Sequence, residues 1–271
     1  MYSIIISFAV AIAIYLGFWT LDVKYWSILW ALIGFVVSMA GINYLIRRRI
    51  MRVMTEMQNM MLDGQKQIQA RMNAFQNKPV GDPKRVMADM EKLQKKLLTQ
   101  ALEHTDKLEP FRKWTPLFGR QINTTRMQFN YQMQEFKKVD ELMPKCMIMD
   151  PLSGAMKMAR QYTNKVAVED IEKTFLKAKA RLKYNQSALL YALMAWIYVK
   201  NDMPDKAHTT LIKGCEDNEN DTLARNRDRL ANNKVREFSN ANLGDEWFAL
   251  FLEQPKFQVR RQQPRMDGRP F

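Results

Sequence analysis

Two long apolar runs near the N-terminus constrain the fold of this chain more than any other feature. Residues 2–19 form an uncharged run of 18 residues, and residues 26–46 form a second uncharged run of 21 residues. About 20 helical residues cross a bilayer core that is about 30 Å thick, so each run is long enough to span a membrane. A helix is the only single segment that satisfies its own backbone in lipid. The two runs therefore predict a transmembrane helical hairpin over residues 1–46.

The residues that flank the runs predict how this hairpin lies in a membrane. Trp19 and Trp26 stand beside the short break between the runs, and aromatic side chains favour the membrane–water interface. The second run is followed by a cluster of basic residues: Arg47, Arg48, Arg49 and Arg52. Basic flanks stay in the cytoplasm, so we expect an integral membrane protein with both termini cytoplasmic, in the plasma or inner membrane if the protein is bacterial. The same arginines would attract anionic lipid.

The first run is interpreted as a retained helix and not as a cleaved signal peptide. No Lys or Arg precedes it, and the stretch Gly17-Phe18-Trp19-Thr20 lacks the pair of small residues that cleavage requires. We therefore expect the hairpin to remain in the mature protein.

A helical stalk is predicted over residues 47–112, with helices at about 47–76 and 83–109. Apolar residues continue past the arginines at the spacing of a coiled-coil seam: Ile50, Met54, Met57, Met61, Ile68 and Phe75. Two Pro and one Gly within residues 77–83 end the first helix, and Pro83 suits the first turn of the next. Two helices joined in this way indicate an antiparallel hairpin, and self-association through the seam fits equally well.

Methionine is abundant on this stalk, in a chain that contains 20 Met. Met54, Met57 and Met61 suit packing along the seam, an adaptable surface for a partner, or thioether ligands for copper(I). No Cys or His accompanies them, so packing is favoured and no metal site is predicted. The three residues are also candidates for oligomerisation.

A repeat is visible in the C-terminal half. One pattern of small and large apolar residues occurs twice, 36 residues apart, first as Ala159, Tyr162, Ile171, Phe175 and Ala178 and then as Ala195, Tyr198, Ala207, Leu211 and Gly214. A weaker copy comprises Tyr131, Val139, Met143 and Cys146. Small and large residues at these spacings are what two closely crossing helices need.

This pattern resembles the tetratricopeptide repeat family, whose units are helix–turn–helix modules of about 34 residues. The resemblance covers residues 121–221 as units near 121–151, 152–185 and 188–221, and a generic α-solenoid would show similar spacing. It implies a repeat domain over residues 113–255, in which the first helix of each unit lines a groove that binds other proteins. The groove residues that it nominates are Phe129, Gln132, Met156, Arg160, Thr163, Trp196 and Lys200.

Arg160 and Trp196 lead this set, because Arg and Trp are frequent hot spots of protein interfaces. The alternative for Trp196 is packing between repeat units, since repeat helices bury one face in any case. The sequence leaves both interpretations of Trp196 open.

The segments after the repeats predict a cap, an apolar helix and a tail. Residues 221–238 place apolar positions among charged ones, as a capping helix requires. Trp247, Phe248 and Phe251 lie in residues 245–253, which are too apolar to remain in water. This segment either folds back on the repeats or docks on a neighbouring subunit, so its aromatic residues are also oligomerisation candidates. Residues 256–271 are predicted to form a flexible basic tail.

The sequence contains no pattern that predicts catalysis. It lacks a phosphate-binding Gly-rich loop, a dinucleotide-binding Gly triplet and an HExxH motif. His104 and His208 have no Cys or carboxylate pair beside them, and Cys146 and Cys215 suit small buried thiols. We therefore predict no enzyme, no catalytic residue, no metal and no cofactor.

The formal charge of +14 suggests nucleic acid as a partner. No nucleic-acid-binding motif accompanies this charge, and the arginine cluster and the tail account for much of it. The bilayer beside the arginines is the simpler partner, so nucleic-acid binding is not predicted.

Together these features predict an all-α protein with a transmembrane hairpin, a helical or coiled-coil stalk and a solenoid that resembles tetratricopeptide repeats. The predicted function is a membrane-anchored scaffold or adaptor that presents a cytoplasmic surface to other proteins. The alternative is a structural protein whose copies assemble into a ring or lattice that shapes the membrane. We expect a homo-oligomer.

Overall fold

The computed structural model describes residues 2–20, 24–77, 83–115 and 117–254, and every regular element in those ranges is helical. The prediction of an all-α fold is therefore confirmed. Most of the predicted turn, residues 78–82, and the predicted tail, residues 256–271, lie outside the described residues.

The chain divides into two compact units, Met1–Ile148 and Met149–Phe271. This division differs from the predicted start of the repeat domain at residue 113. Residues 118–129 contribute to the same apolar clusters as the stalk helices. Because of this packing, most of the first predicted repeat, residues 121–151, belongs to the first unit.

The described part of the first unit consists of α-helices and short 3-10 segments. The helices are α1 (Tyr2–Thr20), α2 (Lys24–Asn77), α3 (Pro83–His104), α4 (Phe118–Gln132) and α5 (Phe136–Leu142), with 3-10 segments at Thr105–Lys113 and Met143–Lys145. Helix α2 has 54 residues, which corresponds to a rod about 80 Å long at the rise of an α-helix. It joins the second apolar run to the first stalk helix without a break.

The packing of α1 against α2 places small polar side chains inside and large apolar side chains outside. Ser3, Ser7 and Ser27 are buried. In contrast, the side chains of Ile28 and Val37 are 68% and 63% exposed. Helices of water-soluble proteins turn their apolar face toward the core, so this helix pair has the inverse arrangement.

Two glycines of α2 lie at close approaches to other helices of the first unit. A methyl group added at Gly34 would overlap the side chain of Ile14, so Gly34 permits the contact of α2 with α1. A methyl group at Gly64 would overlap Leu97 of α3 in the same way. Gly64 interrupts the apolar seam in sequence because the helix opposite approaches most closely there.

The polar half of α2 packs within the first unit through two apolar clusters. The first cluster joins α2, α3 and α4 and contains Met57, Leu98, Ala101 and Phe129. The second lies around the 3-10 segment and contains Leu108, Phe118 and Ile122, with Ile50, Val53, Met54 and Phe111 packed against it. The part of the α2 seam from Ile50 to Met61 is therefore covered by other segments of the first unit.

The second unit consists of paired helices and a C-terminal segment. Its elements are α6 (Pro151–Thr163), α7 (Val168–Lys179), α8 (Ala188–Lys200), α9 (Pro204–Asp217), α10 (Asp221–Ala231) and α11 (Asp245–Phe248), with 3-10 turns at Val235–Glu237 and Ala241–Leu243. Asp150 caps α6 by accepting the backbone N–H of Ser153 at 2.8 Å. Asn220 caps α10 by accepting the N–H of Thr222 at 2.9 Å. Both caps satisfy donors that a helix start leaves free.

Helix α8 is the centre of the second unit. All ten residues from Leu189 to Tyr198 are buried. The helix contacts α6, α7, α9 and α10. A helix that is apolar on all sides requires neighbours on all sides, so α8 offers little of its own surface to solvent.

A hydrogen-bonded triad ties three of these helices together. Tyr191 Oη of α8 donates to Asp217 Oδ2 of α9 at 2.5 Å, and Lys179 Nζ of α7 lies 2.6 Å from the same oxygen. The hydrogen bonds from Lys179 and then Tyr191 hold the pKa of Asp217 below its ordinary value. A matching bond from Tyr198 Oη to Glu172 joins the opposite end of α8 to α7.

Candidate functional site

The arginine cluster lies on α2 at the point where its apolar half ends. Its members are Arg47, Arg48, Arg49 and Arg52, and all four side chains are exposed. None of them forms an ion pair with any residue that the structure describes. Each unpaired cation near an anionic membrane surface contributes about 1 kcal/mol to binding.

The excess positive charge belongs to the first unit and to the tail. Residues 1–148 contain 21 Lys and Arg against 12 Asp and Glu, whereas residues 149–254 contain 16 against 15. The second unit is therefore almost neutral.

The predicted interface tryptophans lie at neighbouring ends of α1 and α2. Trp19 is 49% exposed and Trp26 is 58% exposed. Trp30 stacks on Phe18 with ring centroids 6.0 Å apart. Three indole rings and a phenyl ring thus gather at the end of the hairpin that holds the short break.

The other end of the hairpin is held by Trp114, to which the sequence pattern assigned no role. Ser3 Oγ donates to the main-chain oxygen of Trp114 at 2.9 Å. The rings of Tyr2 and Trp114 meet edge to face, with centroids 5.7 Å apart. A contact across 111 residues leaves no local signal in the sequence, so only the structure could reveal it.

Two clefts adjoin this contact, and each has one member of the arginine cluster in its wall. The Arg47 cleft has a volume of about 520 Å³ and is lined by Ser3, Ile4, Met39, Asn43, Arg47, Ile50, Met51, Met54, Thr115, Phe118 and Gln121. The Arg49 cleft has a volume of about 480 Å³ and is lined by Ile6, Ile42, Leu45, Ile46, Arg49, Pro110, Phe111 and Trp114. Both volumes fall within the range of ordinary ligand sites.

The methionines predicted for oligomerisation lie in the interior of the first unit. Met57 is 9% exposed, and Met54 and Met61 are half-buried against the same cluster. Their packing partners come from α3 and α4. This corresponds to the packing interpretation of the seam and leaves little of these side chains for a second copy.

The residues predicted to line a protein-binding groove are divided between interior and surface. Phe129 packs with Met57 in the first unit, and Gln132 is half-buried there. In the second unit Met156 is fully buried, and Trp196 is 5% exposed. The C-terminal segment of the chain covers the ring of Trp196, which corresponds to the packing alternative that the sequence left open.

Three of the predicted groove residues keep accessible side chains. Thr163 and Lys200 are exposed, and Arg160 is half-buried. Arg160 donates to Asn164 Oδ1 at 3.1 Å. Lys200 Nζ lies 5.3 Å from the centroid of the Trp196 ring, within cation–π range.

The cover on Trp196 is a clasp formed by Trp196, Trp247 and Glu253. The indole N–H of Trp196 donates to Glu253 Oε1 at 2.8 Å, and the indole N–H of Trp247 donates to Oε2 at 2.9 Å. The two indole rings meet edge to face with centroids 5.8 Å apart. Trp247 is fully buried, Phe248 is half-buried and Phe251 is 43% exposed. The apolar segment after residue 244 therefore folds back on α8 of the same unit.

A second bond holds the same segment on α8. Asn240 Nδ2 donates to the main-chain oxygen of Ala192 at 2.9 Å, and Asn240 is itself buried. Asn226 of α10 donates to Asn240 Oδ1 at 2.9 Å. Residues 239–253 thus cover the face of α8 that the repeat resemblance assigned to a partner.

The isolated histidines and cysteines offer little chemistry. Among the described residues, no group of three or more His, Cys, Asp and Glu side chains could hold a metal ion. Burial raises the pKa of the Cys215 thiol, which disfavours the reactive thiolate.

Comparisons with protein-family models, with curated proteins and with solved structures give no match for this chain.

Proposed function

We propose that this protein is a membrane-anchored scaffold, in which α1 and the first half of α2 span the bilayer and the second unit presents a binding surface in the cytoplasm. The observation that carries the proposal is the inverse packing of the hairpin, with serines inside and large apolar side chains outside. The two helices are long and apolar enough to cross a membrane by length and composition.

The size of the exposed apolar surface supports a lipid environment. Among the described residues, nineteen large apolar side chains between Tyr2 and Leu45 are exposed. Burying one such side chain is worth about 1.5–3 kcal/mol, so leaving them all in water would cost more than the whole stability of a typical domain. A bilayer removes this cost, while the buried serines stay inside the helix pair.

The second unit supports a scaffold that resembles tetratricopeptide repeats. Its helices form two successive pairs, α6 with α7 and α8 with α9, and the 36-residue spacing relates Ala159 to Ala195 and Ala178 to Gly214. All four small residues are buried between helices. The proposed partner surface consists of Arg160, Thr163 and Lys200, beside the C-terminal segment.

Assembly into a ring or lattice is the second candidate function. Its predicted contacts, the methionine seam and Trp247, are used inside the chain. One surface open to a second copy is an apolar cleft of about 370 Å³ on the hairpin, between Phe8 and Phe35. Tyr15 and small residues such as Ala11 and Ala31 also line this cleft. Assembly through this cleft would occur within the bilayer.

A pair of cysteine variants tests the anchor and its orientation. Thr20→Cys lies at the break between the spans, and Thr55→Cys lies beyond the arginine cluster; both threonines are exposed. In intact cells a membrane-impermeant maleimide should label the cysteine at position 20 and leave that at position 55 unlabelled. Labelling of position 55 alone would show the opposite orientation. Extraction of the protein by alkaline carbonate would contradict the proposed membrane anchor.

Native mass spectrometry of the protein in a mild detergent tests the scaffold. We expect one or two copies of the chain with a different protein in a fixed ratio. The double variant Arg160→Glu, Lys200→Glu should release that protein, whereas the control Lys177→Glu, Lys213→Glu on α7 and α9 should retain it. A large homo-oligomer without another protein would establish the assembly alternative.

A further inference from the structure

The Arg47 cleft combines an apolar wall with polar groups that have no partner. Asn43 is half-buried in the wall, and neither its side-chain amide nor that of Gln121 at the rim bonds to any described residue. The guanidinium of Arg47 is likewise unpaired within the described ranges. Two amides and one cation therefore line the same cleft with unused hydrogen-bonding capacity.

Asn43 is the most informative of these groups because of its position. It lies within the second apolar run, three residues before the run ends at Ile46. A polar side chain in a membrane span is costly unless a partner satisfies it, so such residues usually serve a function. Nothing in the described part of the chain satisfies Asn43, so its amide is available to a molecule that enters the cleft.

The apolar lining restricts the chemistry of that partner. Ile4 of α1 and Met39 of α2 lie on the membrane-spanning side of the cleft, while Phe118 belongs to α4 beyond it. A molecule that fills the cleft must expose hydrocarbon next to the spans and oxygen acceptors next to Arg47, Asn43 and Gln121. A small soluble anion offers no hydrocarbon, and a neutral hydrocarbon offers no acceptor.

We propose that the Arg47 cleft binds the headgroup and first acyl carbons of one anionic phospholipid. Arg47 pairs with the phosphate, because a guanidinium forms two parallel hydrogen bonds with phosphate oxygens. The amides of Asn43 and Gln121 donate to phosphate or ester oxygens. Basic pockets beside transmembrane helices are a common form of lipid site. This inference rests on the proposed membrane anchor.

The Arg49 cleft gives a comparison within the same protein. Its only side chain with hydrogen-bond donors besides the indole of Trp114 is Arg49, and the rest of its lining is apolar. It lacks the amides of the Arg47 cleft. We therefore assign selective lipid binding to the Arg47 cleft alone.

The test measures lipid retention by native mass spectrometry. Detergent-purified protein is titrated with phosphatidylglycerol and, separately, with phosphatidylcholine. The wild-type chain should retain one phosphatidylglycerol in preference to phosphatidylcholine. Arg47→Gln and Asn43→Leu should each weaken this binding about tenfold, since each removes hydrogen bonds to a charged group.

The matched control is Arg48→Gln, which removes the same charge from the same turn of α2 but lines neither cleft. It should weaken lipid binding clearly less than Arg47→Gln does, because it reduces only the general attraction to anions and removes no hydrogen bond to the headgroup. Alkaline carbonate extraction of each variant, made before the titration, reports the anchor separately from the lipid.

Two results would overturn the assignment while leaving the anchor intact. If Arg47→Gln and Arg48→Gln lost equal lipid affinity, in chains that remain in the membrane, the effect would come only from the overall charge of the arginine cluster. Equal retention of the two lipids by the wild-type chain would remove the preference for an anionic headgroup. Release of all chains by carbonate would instead overturn the anchor, and the lipid site with it.

Discussion

Replacing Trp247 with Ala should loosen the centre of the second unit rather than change how copies of the chain associate. Trp247 is fully buried, and its ring contacts Trp196 of α8. Its indole N–H shares the carboxylate of Glu253 with that of Trp196. The substitution removes the ring and one of the two donors to that carboxylate.

The size of the effect follows from the burial of this side chain. Replacing a buried Trp with Ala costs about 3–5 kcal/mol, because apolar contact is lost and a cavity remains. Glu253 is half-buried and can recover a hydrogen bond from water, so the loss of its donor adds little. We expect a loss of about 3 kcal/mol in the free energy of local opening, or about 150-fold in the opening equilibrium.

Hydrogen–deuterium exchange, read by mass spectrometry on the full chain in detergent, measures this opening region by region. Amides of α8 (Ala188–Lys200) and of residues 239–253 should exchange about 100-fold faster or more, and amides of α3 should be unchanged. Leu176→Ala is the matched control, since Leu176 is 60% exposed and lies on α7 of the same unit. Its effect should stay within about 0.5 kcal/mol.

This reasoning would be refuted if Trp247→Ala left the hydrogen-exchange rates of α8 unchanged and reduced the number of chains in the detergent-solubilised particle. Trp247 would then make its main contact with a neighbouring copy, and the clasp would not form within one chain. Trp247→Phe separates the ring from the hydrogen bond, because it keeps most of the apolar contact and loses the N–H donor. The hydrogen-exchange rates of α8 in Trp247→Phe should lie between those of the wild type and those of Trp247→Ala.

Two further substitutions test other contacts. Gly64→Leu should separate α2 from α3 and speed hydrogen exchange in α3 by about tenfold or more, because overpacking costs about 1–3 kcal/mol. The control Gly17→Leu should leave this exchange unchanged, since a methyl group at Gly17 meets nothing within 4 Å. Equal effects of the two variants would contradict the close approach of α2 and α3 at Gly64. Asp217→Asn should lower the unfolding temperature of the second unit at pH 7. The pKa of Asp217 is held below 3.8, so its stabilisation is present above that pH and is lost as the pH falls through the lowered pKa. A difference between wild type and variant that persists in strong acid would contradict this.

The helical elements follow from local patterns and were therefore predictable. Apolar runs of membrane length and Pro83 at the start of a helix each act within a few residues. The 36-residue repeat likewise predicts helix pairs, and α6 to α9 form such pairs. These features depend on neighbours in sequence, so one sequence contains the information.

Exposure at the candidate site was less predictable. Arg160 and Trp196 lie 36 residues apart and occupy the same position of the sequence pattern, yet Trp196 is buried and Arg160 keeps a half-exposed side chain. The periodicity of a helix shows which face a residue lies on but not which distant segment covers that face. Residues 239–253 cover the face of α8, and no spacing rule connects them with it.

The sequence by itself determined the helical class, the two membrane-length apolar runs and the arginine cluster that follows them. Only the tertiary structure decided that the serines of the hairpin turn inward, that Gly64 marks a close contact with Leu97, and that Trp114 meets the first turn of α1. The physical reason is one of range. Helix formation and apolar length are local properties, whereas burial and the two clefts depend on contacts between residues far apart in the chain.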